Sequence, residues 1–355
     1  TMSHILLITG SSGLIGSEMV KFFAPQFERI LGLDNNLRRD FFGAEGDTSS
    51  VLQELSKNHH NFEHLDMDIR DREGINTLFQ NRPISSIVHC AAQPSHDLAA
   101  QIPFQDFEVN ALGTLNLLEA TRKHRPESPF VFISTNKVYG DLPNQLPLEE
   151  LETRYDFLRE EDRYGISEAM SIDQSLHSLF GVSKASADLL VQEYGRNFSL
   201  KTTCLRGGCL TGPNHRGTRL HGFLSYLVRT NLTRTPYTIF GYKGKQVRDN
   251  IHSQDVAACV GNILADPCRG EVFNLGGGRA NSCSMLEAME RIQSITGIEF
   301  EHSYSEEARV GDHICYYTDN RKFQTRYPGW NISYSLDSIL KEIYEQWQVE
   351  FSNKG

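Results

Sequence analysis

The stretch "ITGSSGLIGSEMV", residues 8–20, decides the expected fold because it places Gly10, Gly13 and Gly16 at intervals of three residues. It follows the apolar run "HILLITG" and opens an amphipathic stretch, which predicts a strand, a tight turn and a helix. An ordinary glycine turn is the alternative, but glycine in this context lets a pyrophosphate reach the helix N-terminus. The residues predicted to line this dinucleotide-binding turn are Gly10, Ser12, Gly13, Leu14, Ile15 and Gly16.

A second cofactor signal lies at the end of the next predicted strand, "RILGLD", where Asp34 follows Gly16 by eighteen residues. A carboxylate there accepts hydrogen bonds from a ribose 2′-hydroxyl and repels a 2′-phosphate, which favours NAD over NADP. Arg38 and Arg39 weaken that preference, and Asp68 either lies near the adenine or only caps its strand. The cofactor-binding residues predicted in this region are Asp34, Asn35, Asn36, Arg38, Asp68 and Ile69.

Short apolar runs alternate with amphipathic stretches over the first two hundred residues, which is typical of a parallel sheet flanked by helices. The six expected strands are "HILLITG", "RILGLD", "FEHLDMD", "SIVHCAA", "FVFISTN" and "KTTCLRGG", and the late run "EVFNLGG" returns to the sheet. We predict an α/β fold with a doubly wound, Rossmann-type parallel sheet and a smaller, mostly α lobe. The predicted domains are residues 1–210 with 253–278 and residues 211–252 with 279–355, with the site in a cleft between them.

Composition excludes several classes of function. A formal net charge of −10 offers no basic surface for nucleic acid, and the first apolar run is too short to span a membrane. Seven cysteines without a C-x-x-C pair are typical of reduced thiols, so we expect a cytoplasmic protein. The candidate ligands His59, His60, His215 and His221 lack metal-binding spacing, and we predict no metal.

Four further stretches, taken with the glycine turn, resemble the extended short-chain dehydrogenase/reductases that act on nucleotide sugars. They are "HCAAQPS" (89–95), "NALGTLNLLEA" (110–120), "STNKVYGD" (134–141) and "FGVSKASAD" (180–188). Within that family the likeness is greatest to epimerases that invert carbon 2 of CDP-linked sugars, on "STNKVYGD", "ETRYD", "GISE" and "GKQVRDNIHSQDV". Family dehydratases carry an Asp-Glu pair where this chain has Asn136 and Lys137, which argues against elimination of water.

The resemblance implies NAD as a tightly held cofactor and a reaction in which a hydride leaves carbon 2, a transient 2-keto sugar forms, and the hydride returns to the other face. It implies that Thr135 bonds the reacting oxygen and that Lys184 contacts the nicotinamide ribose and lowers the pKa of a neighbouring phenol. The remaining implied cofactor contacts are Ala91, Ala92, Gln93, Asn110, Ser134, Lys184 and Gly207. The implied substrate contacts are Pro94, Ser95, His96, Thr135, Asn136, Lys137, Gly208, Arg248, Arg309 and Asp312.

Phe180 occupies the position where the family carries its catalytic tyrosine, one helical turn before Lys184. Loss of a positioned acid/base costs about 10²–10⁴-fold in rate, so this chain is expected to be nearly inactive. The first explanation is a deliberate Tyr-to-Phe change, since Thr1 before Met2 is typical of cloning. The second is a natural member that only binds ligands, and the third is a displaced base such as Tyr164, although Glu168 stands where a lysine would be needed.

The substrate end of the sequence is marked by Lys245, Arg248 and Asp249 in "GKQVRD" and by Arg309 and Asp312 in "ARVGD". An arginine fork suits a diphosphate, whereas surface ion pairs are the alternative, and "GPNHRG" departs from the family's Gly-Pro-Arg pattern. The preferred partner is a CDP-linked sugar. A 4-epimerase of a UDP-sugar such as a uronate, and a non-catalytic binding protein, are the competing hypotheses. The family resemblance also implies a homodimer or a homotetramer.

Overall fold

The structure is a computed structural model that describes residues 4–211, 222–309 and 311–353. The described chain forms two compact units. The first contains residues 4–138, 178–207 and 256–273, and the second contains residues 139–177, 208–211, 222–255, 274–309 and 311–353.

The strands and helices follow one another in alternation through the first unit. The strands are β1 (Ile5–Thr9), β2 (Arg29–Leu33), β3 (Phe62–Leu65), β4 (Ile84–His89), β5 (Phe130–Thr135), β6 (Leu148–Glu150), β7 (Tyr155–Phe157), β8 (Thr202–Gly207), β9 (Cys209–Thr211), β10 (Tyr237–Phe240), β11 (Val247–His252), β12 (Glu271–Leu275), β13 (Ser282–Ser284), β14 (His302–Ser305) and β15 (Cys315–Tyr316). The helices are α1 (Leu14–Phe23), α2 (Leu37–Phe42), α3 (Ser49–Asn58), α4 (Arg72–Asn81), α5 (His96–Ala99), α6 (Pro103–Phe107), α7 (Gly113–His124), α8 (Ser178–Phe198), α9 (Phe223–Leu232), α10 (Ser253–Ala265), α11 (Met285–Thr296), α12 (Arg321–Arg326) and α13 (Leu336–Ser352).

The central sheet has seven strands in the order β12-β8-β5-β4-β1-β2-β3. The neighbouring pairs from β8 through β3 are parallel, so their carboxyl ends meet at one edge. The order reverses between β1 and β4, which is the switch point where doubly wound sheets bind ligands. The predicted doubly wound α/β fold is confirmed.

The core of the first unit follows from runs of apolar residues that are buried on both faces of the sheet, as parallel strands require. All five residues of β1 are buried, and β4 and β5 contribute Ile87, Phe130 and Phe132 to the same core. The helix α7 adds Leu117 and Leu118 from one face. The strand ends are therefore supported by a packed layer.

The second unit contains residues 139–177, although the sequence places them between two stretches of the first unit. Pairing explains this arrangement, because Tyr155 N donates to Lys245 O and Ile166 bridges to Thr318. Small sheets join β6 to β7, β10 to β14, and β11 to β9, β13 and β15. A separate core packs α9, α11 and α13 together.

Candidate active site

The glycine turn joins β1 to α1 as the sequence predicts. Gly10 has a φ of +68°, and a Cβ there would lie 2.8 Å from Ala91 N. A Cβ on Gly16 would lie 2.0 Å from Gly10 O, so no side chain fits at either position. Leu14 and Ile15 form the first turn of α1, which contains no acidic residue. The backbone N–H groups of this turn can therefore accept an anion.

Asp34 lies directly beside the glycine turn. Its carboxylate accepts hydrogen bonds from Ser12 N at 3.0 Å and from Asn36 N at 2.7 Å. Burial raises the pKa of Asp34, and the two backbone donors oppose that rise. Asn36 adopts a left-handed conformation and its side chain bonds Asp47 and Thr48. The geometry orients the Asp34 carboxylate toward the turn.

Asp68 is held by a partner that the sequence reasoning did not consider. Arg70 grips the carboxylate through Nε and Nη2, the shorter contact being 2.7 Å. Burial would raise the pKa of Asp68, but Arg70 and Asn35 lower it overall. The neighbouring Ile69 side chain is buried in the core, and Arg38 lies over the Phe42 ring.

The loop after β4 follows directly from the strand edge. Thr9 Oγ1 accepts hydrogen bonds from Cys90 N and Ala91 N, which fixes the start of the loop beside Gly10. Ala92, Pro94 and His96 are partly exposed, whereas Gln93, Ser95 and Asn110 are almost fully buried. His96 begins α5.

The end of β5 carries the residues expected at the reacting centre. Thr135 is the last residue of β5 and pairs with Gly207 of β8. Its Oγ1 accepts a hydrogen bond from Lys137 N at 3.2 Å, which turns the chain away from the strand. Asn136 is 7% exposed, and Lys137 is partly exposed.

Phe180 and Lys184 lie on the inner face of α8, where they are 8% and 5% exposed. Lys184 Nζ donates to Ile133 O at 3.1 Å and lies 4.5 Å from the centre of the Phe132 ring. Both contacts are on β5, two and three residues before Thr135. The structure therefore brings Thr135, Phe180 and Lys184 to one end of β5.

The electrostatic setting around Lys184 is that of a dry interior. Burial lowers the pKa of Lys184 to about 8, and nearby carboxylates, including Asp188 and Asp106, oppose this shift. Burial also lowers the pKa of His89 to about 3, so this imidazole is neutral between Thr9 and Thr114. A lysine with such a pKa exchanges its proton readily near neutral pH.

A buried ion pair behind this centre was missed by the sequence reasoning. Asp188, one turn after Lys184, is paired with Arg206 of β8 at 2.9 Å and 3.0 Å. Ser134 Oγ donates to the same carboxylate at 2.6 Å, so this predicted cofactor residue points its hydroxyl into the protein. The available signal was a carboxylate on an otherwise apolar helix face, in the same register as Lys184.

In the second unit, the predicted diphosphate residues lie close together. Arg248 Nη2 is 3.9 Å from Asp312 Oδ2, and the guanidinium also donates to Val247 O and His313 O. Asp312 N donates to Arg309 O at 3.5 Å. A guanidinium fixed by carbonyl groups in this way can present its remaining N–H groups to a phosphate.

Other predicted residues of the second unit have structural partners. Lys245 bonds Glu150 and Leu151 O, and Asp249 is buried and accepts hydrogen bonds from Gly278 N and Thr318 N. A Cβ on Gly208 would lie 2.8 Å from Asp249 Oδ1. Tyr164 is 58% exposed, with the Arg321 guanidinium over its ring at 3.9 Å.

The glycine turn fits a dinucleotide on two independent grounds. Gly10 and Gly16 leave no room for side chains, and the hydroxyl of Ser12 is buried without a hydrogen-bond partner among the described residues. A pyrophosphate oxygen at the start of α1 would supply that partner.

The described ranges contain no group of three His, Cys, Asp or Glu side chains placed to hold a metal ion. His215, His221 and the stretch "GPNHRG" lie outside the described residues. Within residues 4–211, 222–309 and 311–353, no helix is both long and apolar enough to cross a bilayer.

Known proteins carry the same pattern over nearly the whole chain. A CDP-paratose 2-epimerase from Salmonella typhi is 32% identical over 347 residues, covering 96% of this chain and 98% of the relative. A dTDP-glucose 4,6-dehydratase from Salmonella typhimurium is 28% identical, covering 96% of this chain and 91% of the relative. The crystal structure of a UDP-glucuronic acid 4-epimerase from Bacillus cereus, in complex with UDP-glucuronic acid and NAD, superposes with a TM-score of 0.79 at 24% identity, covering 97% and 99% of the two chains, and supports the fold.

The family model described as "NAD dependent epimerase/dehydratase family" matches residues 6–276. This match and the Salmonella typhi relative confirm the predicted resemblance to nucleotide-sugar enzymes and the predicted NAD cofactor. The chain therefore belongs to the NAD dependent epimerase/dehydratase family.

Proposed function

We propose that the chain binds NAD and a CDP-linked hexose and inverts carbon 2 of the sugar through a transient 2-keto intermediate. The observation that carries this proposal is the end of β5, where Thr135, Asn136 and Lys137 lie at the same strand end as Lys184. An amide and an ammonium replace the acidic pair that elimination of water would require, which favours epimerisation over dehydration. The Salmonella typhi relative supports a CDP-linked substrate.

NAD, when bound, supplies the acceptor and donor of the hydride. The glycine turn would hold its pyrophosphate at the start of α1, and Asp34 would accept hydrogen bonds from the adenosine ribose. Lys184 would donate to the second ribose, because its Nζ has only one protein acceptor at hydrogen-bond distance in the described residues. The first unit would thus carry the cofactor.

Thr135 would bond the hydroxyl oxygen at the carbon that is inverted. Its Oγ1 accepts from Lys137 N and retains its own proton for donation. Arg248, with Arg309 and Asp312 beside it, would bind the diphosphate in the second unit. The exposed side chains of Pro94 and His96 would contact the sugar.

Phe180 deprives the proposed site of its proton-transferring phenol. The ring is buried next to Lys184 on α8, and phenylalanine has no proton to exchange. We propose that the reaction is slow in this chain and that Lys184 is already placed to activate a tyrosine at position 180. Tyr164 does not replace it in this proposal, because its ring is stacked under Arg321.

The proposal includes self-association into a homodimer. Leu179, Val182 and Leu189 lie on the outer face of α8 and are 48%, 45% and 51% exposed. Phe104 and Phe107 of α6, which packs against α8, are 82% and 43% exposed. A contiguous apolar surface of this kind is typical of a contact between protein subunits.

A substrate panel tests the proposed function. The Phe180→Tyr chain, incubated with CDP-, UDP- and dTDP-hexoses, is expected to epimerise a CDP-hexose at carbon 2 about 10²–10⁴-fold faster than the unchanged chain. Product sugars are identified by NMR. Inversion at carbon 4 of a UDP-sugar, release of water, or no gain of activity for any sugar contradicts the proposal, and the last result favours a binding protein.

A further inference from the structure

A buried polar cluster connects the loop after β4 to the helix that carries Lys184. We name it the Asp106 cluster, and its members are Gln93, Ser95, Asp106, Asn110 and Ser183. Every member is 2% exposed or less. Polar groups this deeply buried are costly unless they are hydrogen-bonded, so the arrangement of their bonds is tightly specified.

On the loop side, the Gln93 amide organises the chain. Its Oε1 accepts from Ser95 N at 2.6 Å, and its Nε2 donates to Ser95 O at 2.9 Å and to Asp106 Oδ1 at 2.7 Å. Gln93 N in turn donates to Asn110 Oδ1 at 2.9 Å. These bonds hold the segment from Gln93 to Ser95, which precedes His96, against the helical segment that contains Asp106.

On the helix side, Asn110 makes the connection to α8. Its Nδ2 donates to Ser183 Oγ at 3.0 Å, to Asp106 Oδ1 at 3.3 Å and to Gln93 O at 3.3 Å. Asn110 lies in a π-helical turn, Glu108–Leu112, which joins α6 to α7 and adds a residue to the helix at this point. Ser183 is the residue directly before Lys184.

The side chains of Gln93 and Asn110 have no capacity left for a ligand. Both polar atoms of each amide have protein partners, and Asp106 accepts from Gln93 and Asn110. Burial raises the pKa of Asp106, while hydrogen bonds from Ser183 and Gln93 oppose the rise. These residues therefore act on the site through the position of the groups they hold.

We propose that Asp106 and Ser183 are positioning residues that, through Gln93 and Asn110, fix the Lys184 segment of α8 relative to the loop after β4. The inference rests on the proposed function for its kinetic consequence. Loss of the Ser183 hydroxyl would free one end of the cluster and let Lys184 move relative to position 180. Displacements of this size in a site change rates strongly, because proton transfer depends on hydrogen-bond reach.

A phenol placed at position 180 reports the position of Lys184 directly. In the Phe180→Tyr chain, alkaline ultraviolet difference absorbance against the unchanged chain isolates the one added phenol from the other 13 tyrosines. We expect its pKa to lie below the ordinary value of about 10, because Lys184 is charged next to it. Adding Ser183→Ala, which changes no charge, is expected to raise that pKa by about 1 and to lower kcat about tenfold with little change in KM.

Ser128→Ala is the matched control. Ser128 is also buried and donates to a backbone carbonyl, Ile84 O at 2.8 Å, but it precedes β5 and so lies at the opposite end of the strand from Thr135. It is expected to lower thermal stability about as much as Ser183→Ala and to leave the phenol pKa unchanged.

Two results would overturn the inference. One is a phenol at position 180 that titrates at the ordinary value with Ser183 intact. The other is a Ser183→Ala chain that loses stability while its phenol pKa equals that of Phe180→Tyr alone. The titration needs no turnover, so a chain that epimerises no sugar contradicts the proposed function but leaves the titration to decide this inference.

Discussion

Lys184 combines a charge with surroundings that disfavour it. It is 5% exposed, lies over the Phe132 ring and has one backbone acceptor, Ile133 O, among the described residues. Burial lowers its pKa to about 8, because the charged form loses its hydration. An anionic or hydroxyl partner at the end of β5 would restore some of that stabilisation, which is what the proposed cofactor and a tyrosine at position 180 would supply.

Lys184→Met is expected to reveal this cost through its pH dependence. Below about pH 8 the lysine is charged in the folded and the unfolded chain, so the folded state bears the full cost of burial. Between about 8 and 10.5 the unfolded chain binds more protons, so the unchanged chain gains stability relative to the variant as pH rises. The gain is roughly 3 kcal/mol, measured by urea denaturation, and a difference that stays constant with pH would show that the pKa is not depressed.

Helix α8 is fixed to the sheet by more than apolar packing. Lys184 and Asp188 lie one turn apart on its inner face, and Asp188 joins Arg206 of β8 and Ser134 of β5. Asp188 and Arg206 are almost fully buried. A buried pair is a weak source of net stability, but removing one partner leaves an uncompensated charge.

Asp188→Asn is expected to destabilise the folded chain by about 3–5 kcal/mol, because the Arg206 guanidinium stays buried without its carboxylate. The free energy of unfolding, measured in urea, checks this expectation. Arg291→Met is the control, since it breaks the exposed pair with Asp337 and is expected to cost less than about 1 kcal/mol. Equal costs for the two variants would contradict a structural role for the buried pair.

The elements predictable from sequence are those whose signal is local. The glycine turn, the apolar strands and the Phe180–Lys184 spacing needed only a few neighbouring residues, and the structure has each of these elements. The Asp188–Arg206 pair and the Asp106 cluster join residues distant in sequence, so no local pattern predicts them. The π-helical turn at Asn110 was also missed, because it depends on tertiary contacts.

The organisation of the whole molecule was only partly predictable. Alternating strands and helices indicated the doubly wound sheet, which the structure contains. Residues 139–177 precede α8 in the chain but pack with the second unit through pairings to residues near 245 and 318. Such pairings between distant segments are set by tertiary structure and leave no periodic signal in the sequence.

The outer face of α8 predicts an assembly. Changing Val182 and Leu189 together to glutamate is expected to convert a homodimer, with twice the 40.2 kDa chain mass, into monomers, because buried charges oppose association. Analytical ultracentrifugation measures the mass. Leu158→Glu, at another exposed apolar residue, is expected to leave the mass unchanged. A monomeric parent chain, or a dimer that persists in the double variant, would refute this interface.

The fate of the hydrogen on carbon 2 tests the central claim most directly. A CDP-hexose carrying deuterium at carbon 2 is incubated with the Phe180→Tyr chain and NAD, and the product is examined by NMR. The account predicts an epimer inverted at carbon 2 that retains its deuterium, since the same hydride leaves and returns within the site. Exchange of the label with solvent, or inversion at another carbon, would contradict it.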